Sequence, residues 1–196
     1  MITLILASTS KYRAALLKRW NLKFKTIDPV VDESAFKAKG LSPHELVRAL
    51  SEAKARAIAK DHPEAVVIGS DQVLTFNGKI YGKAGTPEAA LVQLMELKGA
   101  TQELLTGLCV IYGEHASHHV DSTKITLRNY TSLEAEQVIR RDKSWDCAGS
   151  LKIEAGGTWL IESLETSDPS AIEGLPLIAL GKILRPINSH DHLFGD

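Results

Sequence analysis

The stretch Ala65-Val66-Val67-Ile68-Gly69-Ser70-Asp71-Gln72-Val73, followed by Asn77-Gly78 and Gly82-Lys83, most constrains what this chain can fold into. Its apolar opening reads as a buried strand that delivers the Asp71 carboxylate at its exposed end. Asn-Gly favours positive φ in a two-residue turn, so the chain folds back there as a hairpin. The returning arm carries Lys83 into the neighbourhood of Asp71. In strict register Lys83 pairs with Gln72, and those two side chains share a face. A bulge or twist near Gly82 is needed to aim Lys83 at Asp71 itself.

Elsewhere, apolar strand-like runs alternate with amphipathic helices, the pattern of an α/β protein. Residues 3–7 read as a strand, and Ser8-Thr9-Ser10 as a loop opening a helix over about residues 11–20. Ser42-Pro43-His44-Glu45 combines a cap, a first-turn proline and a glutamate three after the cap, so a helix runs from there to about residue 60. Thr86-Pro87-Glu88 opens another, which Gly99 closes. Residues 107–112 and 123–128 form an expected hairpin around a polar loop. Thr131-Ser132-Leu133-Glu134 begins a further helix, residues 157–161 read as a strand, and Gly174-Leu175-Pro176 leads into a last helix ending near Arg185. The expected division is one domain over residues 1–187 and a polar, frayed tail over 188–196.

Twenty-three basic and 24 acidic residues are spread evenly, giving a net charge of −1. No basic stripe marks a polymeric nucleic-acid partner. No apolar run reaches membrane-spanning length, and the start lacks the basic lead of a signal peptide. Cys109 and Cys147 match no zinc or redox spacing and read as small buried hydrophobes. The expectation is a soluble cytoplasmic protein.

Several residues could carry chemistry. Ser8, Lys11 and Arg13 surround a helix start, where backbone N–H groups, hydroxyls and a guanidinium suit an anion; an ordinary serine cap is the plainer reading. The adjacent acids Asp32 and Glu33 are by themselves a solvated loop, but with Asp71 either could hold Mg²⁺ or Mn²⁺ through oxygen. Lys54, at the edge of the apolar stripe of its helix, either snorkels to water or binds phosphate. His115, His118 and His119 read as solvated loop residues, without an acid or cysteine at ligand spacing. In the segment Trp145-Asp146-Cys147-Ala148-Gly149-Ser150-Leu151-Lys152-Ile153-Glu154, small residues admit a ligand close to the backbone. Lys152 and Glu154 point the same way if that segment is extended.

Taken together, these pieces resemble the Maf family, nucleoside triphosphate pyrophosphatases once named for septum formation. The likeness runs from Leu4 to Leu184. It rests on Leu-Ala-Ser-Thr-Ser with Arg13, Val31-Asp32-Glu33, Ala53-Lys54-Ala55, Ile68-Gly69-Ser70-Asp71, Gly82-Lys83, Thr106-Gly107, Cys147-Ala148-Gly149 and Gly174-Leu175-Pro176-Leu177. The resemblance implies a mixed, elongated α/β sheet flanked by helices, related to ITPase-like folds, with two interleaved lobes and a central cleft. It implies hydrolysis of a nucleoside triphosphate to a monophosphate and pyrophosphate with a divalent cation, Mg²⁺ or Mn²⁺. Asp71 is then the general base, Ser8, Arg13, Lys54 and Lys83 meet the phosphates, and Glu33 and Asp71 hold the metal. A homodimer is compatible with it.

Within the family, arginine, threonine and glutamine at the positions of Tyr12, Gln72 and Glu154 accompany dTTP and UTP. An aromatic residue, glutamine and glutamate there accompany 7-methyl-GTP, and this chain resembles the second branch. Guanine presents N1–H and N2–H₂ as paired donors, which the Glu154 carboxylate can accept, and an aromatic face at Tyr12 attracts the cation made by N7 methylation. The expected role is removal of 7-methyl-GTP; the rival readings are the dTTP/UTP branch and a nucleotide-binding regulator of cell division. The chain departs from the family pattern at Lys11, where proline is common, at Tyr12, where tryptophan is, and at Ala84, where proline usually follows the lysine.

Overall fold

A computed structural model describes residues 2–191. The chain divides into two compact units. The first comprises Met1–Asp71, Thr106–Asp121 and Asp168–Asp196; the second comprises Gln72–Leu105 and Ser122–Ser167. Among the described residues, strands β1 (Leu4–Ala7), β2 (Phe24–Ile27), β3 (Val66–Phe76), β4 (Lys79–Tyr81), β5 (Thr101–Tyr112), β6 (His115–Leu127) and β7 (Ile161–Glu165) form one mixed sheet of order β2-β1-β3-β5-β6-β7, with β4 on β3. Helices are α1 (Lys11–Lys18), α2 (Glu33–Lys37), α3 (Pro43–Ala59), α4 (Pro87–Leu97), α5 (Ser132–Asp142) and α6 (Leu177–Asp191). The α/β reading holds, and no described helix is long and apolar enough to cross a membrane.

In the first unit, β1 lies parallel to both β2 and β3. A sheet with parallel pairs must be covered on both faces, and strand alternation does this. Leu4, Leu6, Val66, Ile68, Leu108 and Val110 pack with Leu16 and Leu17 of α1 and Leu180 and Leu184 of α6. Ile5, Ala7, Val67, Cys109 and Ile111 face Ala55 and Ile58 of α3. Two glycines set how closely α3 lies on that face. A Cβ at Gly69 would stand 2.2 Å from the Ser51 carbonyl oxygen, and one at Gly107 would stand 2.4 Å from that of Val47. Any side chain there would push the helix off the sheet.

The second unit holds the Asn-Gly hairpin, and its turn is as expected: Asn77 has φ 50° and Gly78 φ 76°. Here α4 packs on α5, and the Tyr130 hydroxyl donates to the Leu94 carbonyl at 2.5 Å.

Helix starts follow their caps. Ser42 with Glu45, and Thr131 with Glu134, each form the reciprocal capping box, and Thr86 caps α4. Several expectations are corrected. The loop between β5 and β6 is short, so His115, His118 and His119 sit on a strand. Residues 157–160 form a 3-10 turn, and the strand follows them. The last helix passes Arg185 and continues through Pro186 to Asp191, at the cost of one backbone hydrogen bond. Strand β2 and the short helix α2 were not anticipated. Of the expected polar tail, residues 192–196 lie outside the described residues.

Candidate active site

Parallel pairing of β1 with β3 sets Ala7 beside Gly69, so Ser8, just past the end of β1, comes level with Ser70 and Asp71, which lie buried within β3 and not at an exposed strand end as expected. Ser8 turns at once: its N–H donates to the Leu6 carbonyl at 2.9 Å, and its Oγ accepts from Ser10 N at 3.1 Å. Ser10 caps α1, accepting from the N–H of Arg13. Arg13 is thereby placed in the first turn. Its Nε donates to the Gly174 carbonyl at 2.9 Å, and its Nη1 lies 3.5 Å from Ser8 Oγ. That carbonyl also accepts from Ser70 Oγ at 2.8 Å.

The close seat of α3 decides the fate of Lys54. Nine per cent of Lys54 and 7% of Asp71 are exposed, so neither charge could stand there alone. Lys54 Nζ lies 2.6 Å from Asp71 Oδ1 and 2.7 Å from Glu33 Oε1. Lysine here does not snorkel to water; it bridges two carboxylates. Asp32, the other acid of that pair, caps α2 through Ser34 N and so delivers Glu33 in its first turn. Burial pushes the Asp71 carboxyl above its ordinary range, against the pull of Lys54 and Arg13. Burial likewise lowers Arg13, with Asp71 and Glu33 opposing; a guanidinium nonetheless keeps its proton. The first unit thus gathers Ser8, Arg13, Glu33, Lys54 and Asp71.

Tyr12 belongs to the same unit, with the Lys11 ammonium over its ring, 5.2 Å from the centroid.

Gln72, Lys83 and Glu154 belong to the second unit. The β3–β4 ladder pairs Phe76 with Lys79, Thr75 with Ile80 and Leu74 with Tyr81. Continued, that register would set Gln72 opposite Lys83. The ladder ends at Tyr81, however, and Lys83 instead bridges Ala148. The Gly149 N–H donates to the Tyr81 carbonyl at 3.0 Å, tying the two segments together. Gly149 has φ 62°, and a Cβ there would meet Leu74 at 2.7 Å, so only glycine fits. Ser150 Oγ donates to Gln93 Oε1 at 2.7 Å, and Gln93 Nε2 to the Gly82 carbonyl at 3.3 Å. Beyond it the chain is not extended: residues 153–156 form a turn, Lys152 Nζ donates to the Asp142 carbonyl at 3.1 Å, and Glu154 is exposed. Cys109 is buried as expected, whereas Cys147 is only half-buried; loss of solvent pushes both thiols up to about 12, which disfavours the thiolate at neutral pH.

Sequence reasoning missed Ser70, although its hydroxyl stands between Gly69 and Asp71. It also missed Asp168, whose signal is Asp-Pro-Ser, a cap followed by a first-turn proline.

The donor set suits a hard divalent cation. Two carboxylates already converge on one point of positive charge, and the Glu33 side chain is 42% exposed and able to turn. Among the described residues no group of three His, Cys, Asp or Glu forms. A Mg²⁺-type ion takes only one or two carboxylates from a protein, with phosphate and water as its other oxygens.

A family model described as Maf-like protein matches residues 3–187. A protein of Bdellovibrio bacteriovorus named 7-methyl-GTP pyrophosphatase is 43% identical over 185 residues, covering 94% of this chain and 97% of that relative. Relatives of the same name in Xanthomonas axonopodis pv. citri and Aromatoleum aromaticum are 43% and 42% identical. They cover 94% and 93% of this chain, and 96% and 94% of their own lengths.

Proposed function

The chain belongs to the Maf family, and on that premise we propose that it hydrolyses 7-methyl-GTP to 7-methyl-GMP and pyrophosphate. The observation that carries this reading is the Lys54 ammonium held between Asp71 and Glu33 beside Arg13. Among relatives more than two-fifths identical along nearly the whole chain, the name 7-methyl-GTP pyrophosphatase recurs and supports the substrate.

In the reaction, water adds to the α-phosphorus, the bond to the bridging oxygen breaks, and pyrophosphate leaves. Asp71 accepts the water proton. Lys54 engages Oδ1, which leaves Oδ2 to orient the water and receive that proton, and a carboxyl raised by burial is a stronger base than an ordinary aspartate. Ser8 and the terminal nitrogens of Arg13 bind phosphate oxygens, and Lys54 adds a fixed charge next to the base. Lys83 is assigned to the phosphates, and Tyr12, Gln72 and Glu154 to the base, on the family pattern.

The two cations Arg13 and Lys54 are already balanced by Asp71 and Glu33. A triphosphate therefore needs further positive charge, and Glu33 with Asp71 would hold the divalent ion that supplies it. Bound there, Mg²⁺ or Mn²⁺ would neutralise phosphate charge as the leaving group develops.

Pyrophosphate release from 7-methyl-GTP, GTP, dTTP and UTP, with and without Mg²⁺, tests the reading. The expected result is a metal-dependent preference for 7-methyl-GTP. A pyrimidine preference would overturn the substrate assignment, and no pyrophosphate from any of them would overturn the activity.

A further inference from the structure

We propose that Asp168 is a positioning residue that sets the phosphate-binding orientation of Arg13, an inference that rests on the reading above. Asp168 is 3% exposed and accepts at both carboxylate oxygens. Oδ1 receives Ser170 N at 3.2 Å and Ser170 Oγ at 2.5 Å. Oδ2 receives Ile178 N at 2.7 Å and Ala179 N at 3.3 Å, two donors of the first turn of α6. Ser170 Oγ in turn accepts from Leu177 N at 2.7 Å. One carboxylate thus clasps both ends of the segment 168–178 and satisfies helix donors that would otherwise lack partners.

What that segment presents explains why the clasp matters. At its middle, the Gly174 carbonyl accepts from Arg13 Nε at 2.9 Å and from Ser70 Oγ at 2.8 Å. The Ala171 carbonyl accepts from Thr106 Oγ1 at 2.9 Å. A guanidinium is planar, so fixing Nε against one carbonyl fixes the directions of both terminal nitrogens. Gly174, with φ 103°, turns its carbonyl in a conformation that its backbone alone would not enforce. Without the clasp, the carbonyl is held only through the Ser70 and Thr106 hydroxyls, and Arg13 loses its aim.

The test is a double-mutant cycle in the full chain, pairing Asp168→Asn with Arg13→Ala. Two readouts are taken: kcat/KM for 7-methyl-GTP and calorimetric affinity for inorganic tripolyphosphate. Folding is checked by circular dichroism. The amide keeps the size but replaces one acceptor oxygen by a donor. Asp168→Asn in the otherwise native chain is expected to lose about 10-fold in both readouts, mostly through KM. In the Arg13→Ala background the same change is expected to cost under about twofold. An equal loss in both backgrounds, or a folded Asp168→Asn protein with native KM and tripolyphosphate affinity, overturns the proposal. Should Asp168→Asn fail to fold, Ser170→Ala, which opens one half of the clasp, takes its place with an expected loss of about threefold that likewise vanishes without Arg13. Tripolyphosphate carries no base and need not be turned over. A protein that hydrolyses no nucleotide would therefore sink the proposed function and still allow the cycle to be read.

Discussion

The two compact units treat their charged candidate residues in opposite ways. In the first, Lys54 and Asp71 are buried, paired and pinned by a helix lying against glycines of the sheet. In the second, Lys83 and Glu154 are exposed, one on an isolated bridge and the other in a turn. Groups that act on bonds need fixed geometry and a dry setting, while groups assigned to holding phosphate or choosing a base can sit on shorter, more open segments. The contrast predicts that damage in the first unit stops turnover, whereas damage in the second shifts affinity and choice.

The largest test of that contrast is at Asp71. Asp71→Asn should lower kcat about 10³-fold with little change in KM, whereas Lys83→Ala should cost about tenfold, mainly in KM. Steady-state kinetics on purified variants checks both; equal losses in kcat would break the comparison.

Packing gives the next. Gly69→Ala drives a methyl group to 2.2 Å from the Ser51 carbonyl, whereas nothing lies within 4 Å of a Cβ at Gly82. Urea denaturation should show a loss of about 3 kcal/mol for Gly69→Ala and under about 0.5 kcal/mol for Gly82→Ala.

Glu154→Gln should leave thermal stability unchanged, since Glu154 is exposed. It should move the ratio of 7-methyl-GTP to UTP turnover about tenfold toward UTP. An unchanged ratio would remove Glu154 from base selection.

The smallest effect is on pH dependence. The folded-state pKa of Asp71 is raised, so the native state binds its proton more tightly than the unfolded chain does. The stability linked to that proton is full below the ordinary aspartate range and is lost as pH rises through the raised folded value. Activity should climb across the same window, as the carboxylate ionises. Urea midpoints and kcat measured against pH should therefore move in opposite directions, and both trends should flatten in Asp71→Asn.

Sequence signals are legible where the chemistry is local. The capping boxes at Ser42 and Thr131 and the Asn77-Gly78 turn each act within a few residues, and each stands where expected. Strand β2 escaped notice because it is only four residues long, half-buried and without an apolar alternation. Helix α2 escaped because its five residues bury nothing. The histidines of β6 read as loop because their polar run hides a strand that is exposed or only half-buried there.

For the site, the residues were legible but their contacts were not. Its helix pattern leaves Lys54 between snorkelling and phosphate binding, because its bridge from Glu33 to Asp71 joins residues far apart in sequence. The register that would set Lys83 opposite Gln72 is the one the hairpin starts with, yet Ala148 takes Lys83 before it is reached.

By itself, the sequence determined the α/β class, the helix starts, the hairpin turn and the set of acids, cations and hydroxyls that mark the family. Only the tertiary structure decided that α3 would lie on Gly69 and Gly107, that Lys54 would be held by two carboxylates, and that Asp168 would clasp the segment on which Arg13 rests. Caps and turns are settled by bonds between neighbours, whereas these contacts depend on how closely distant segments approach, which no spacing along the chain encodes.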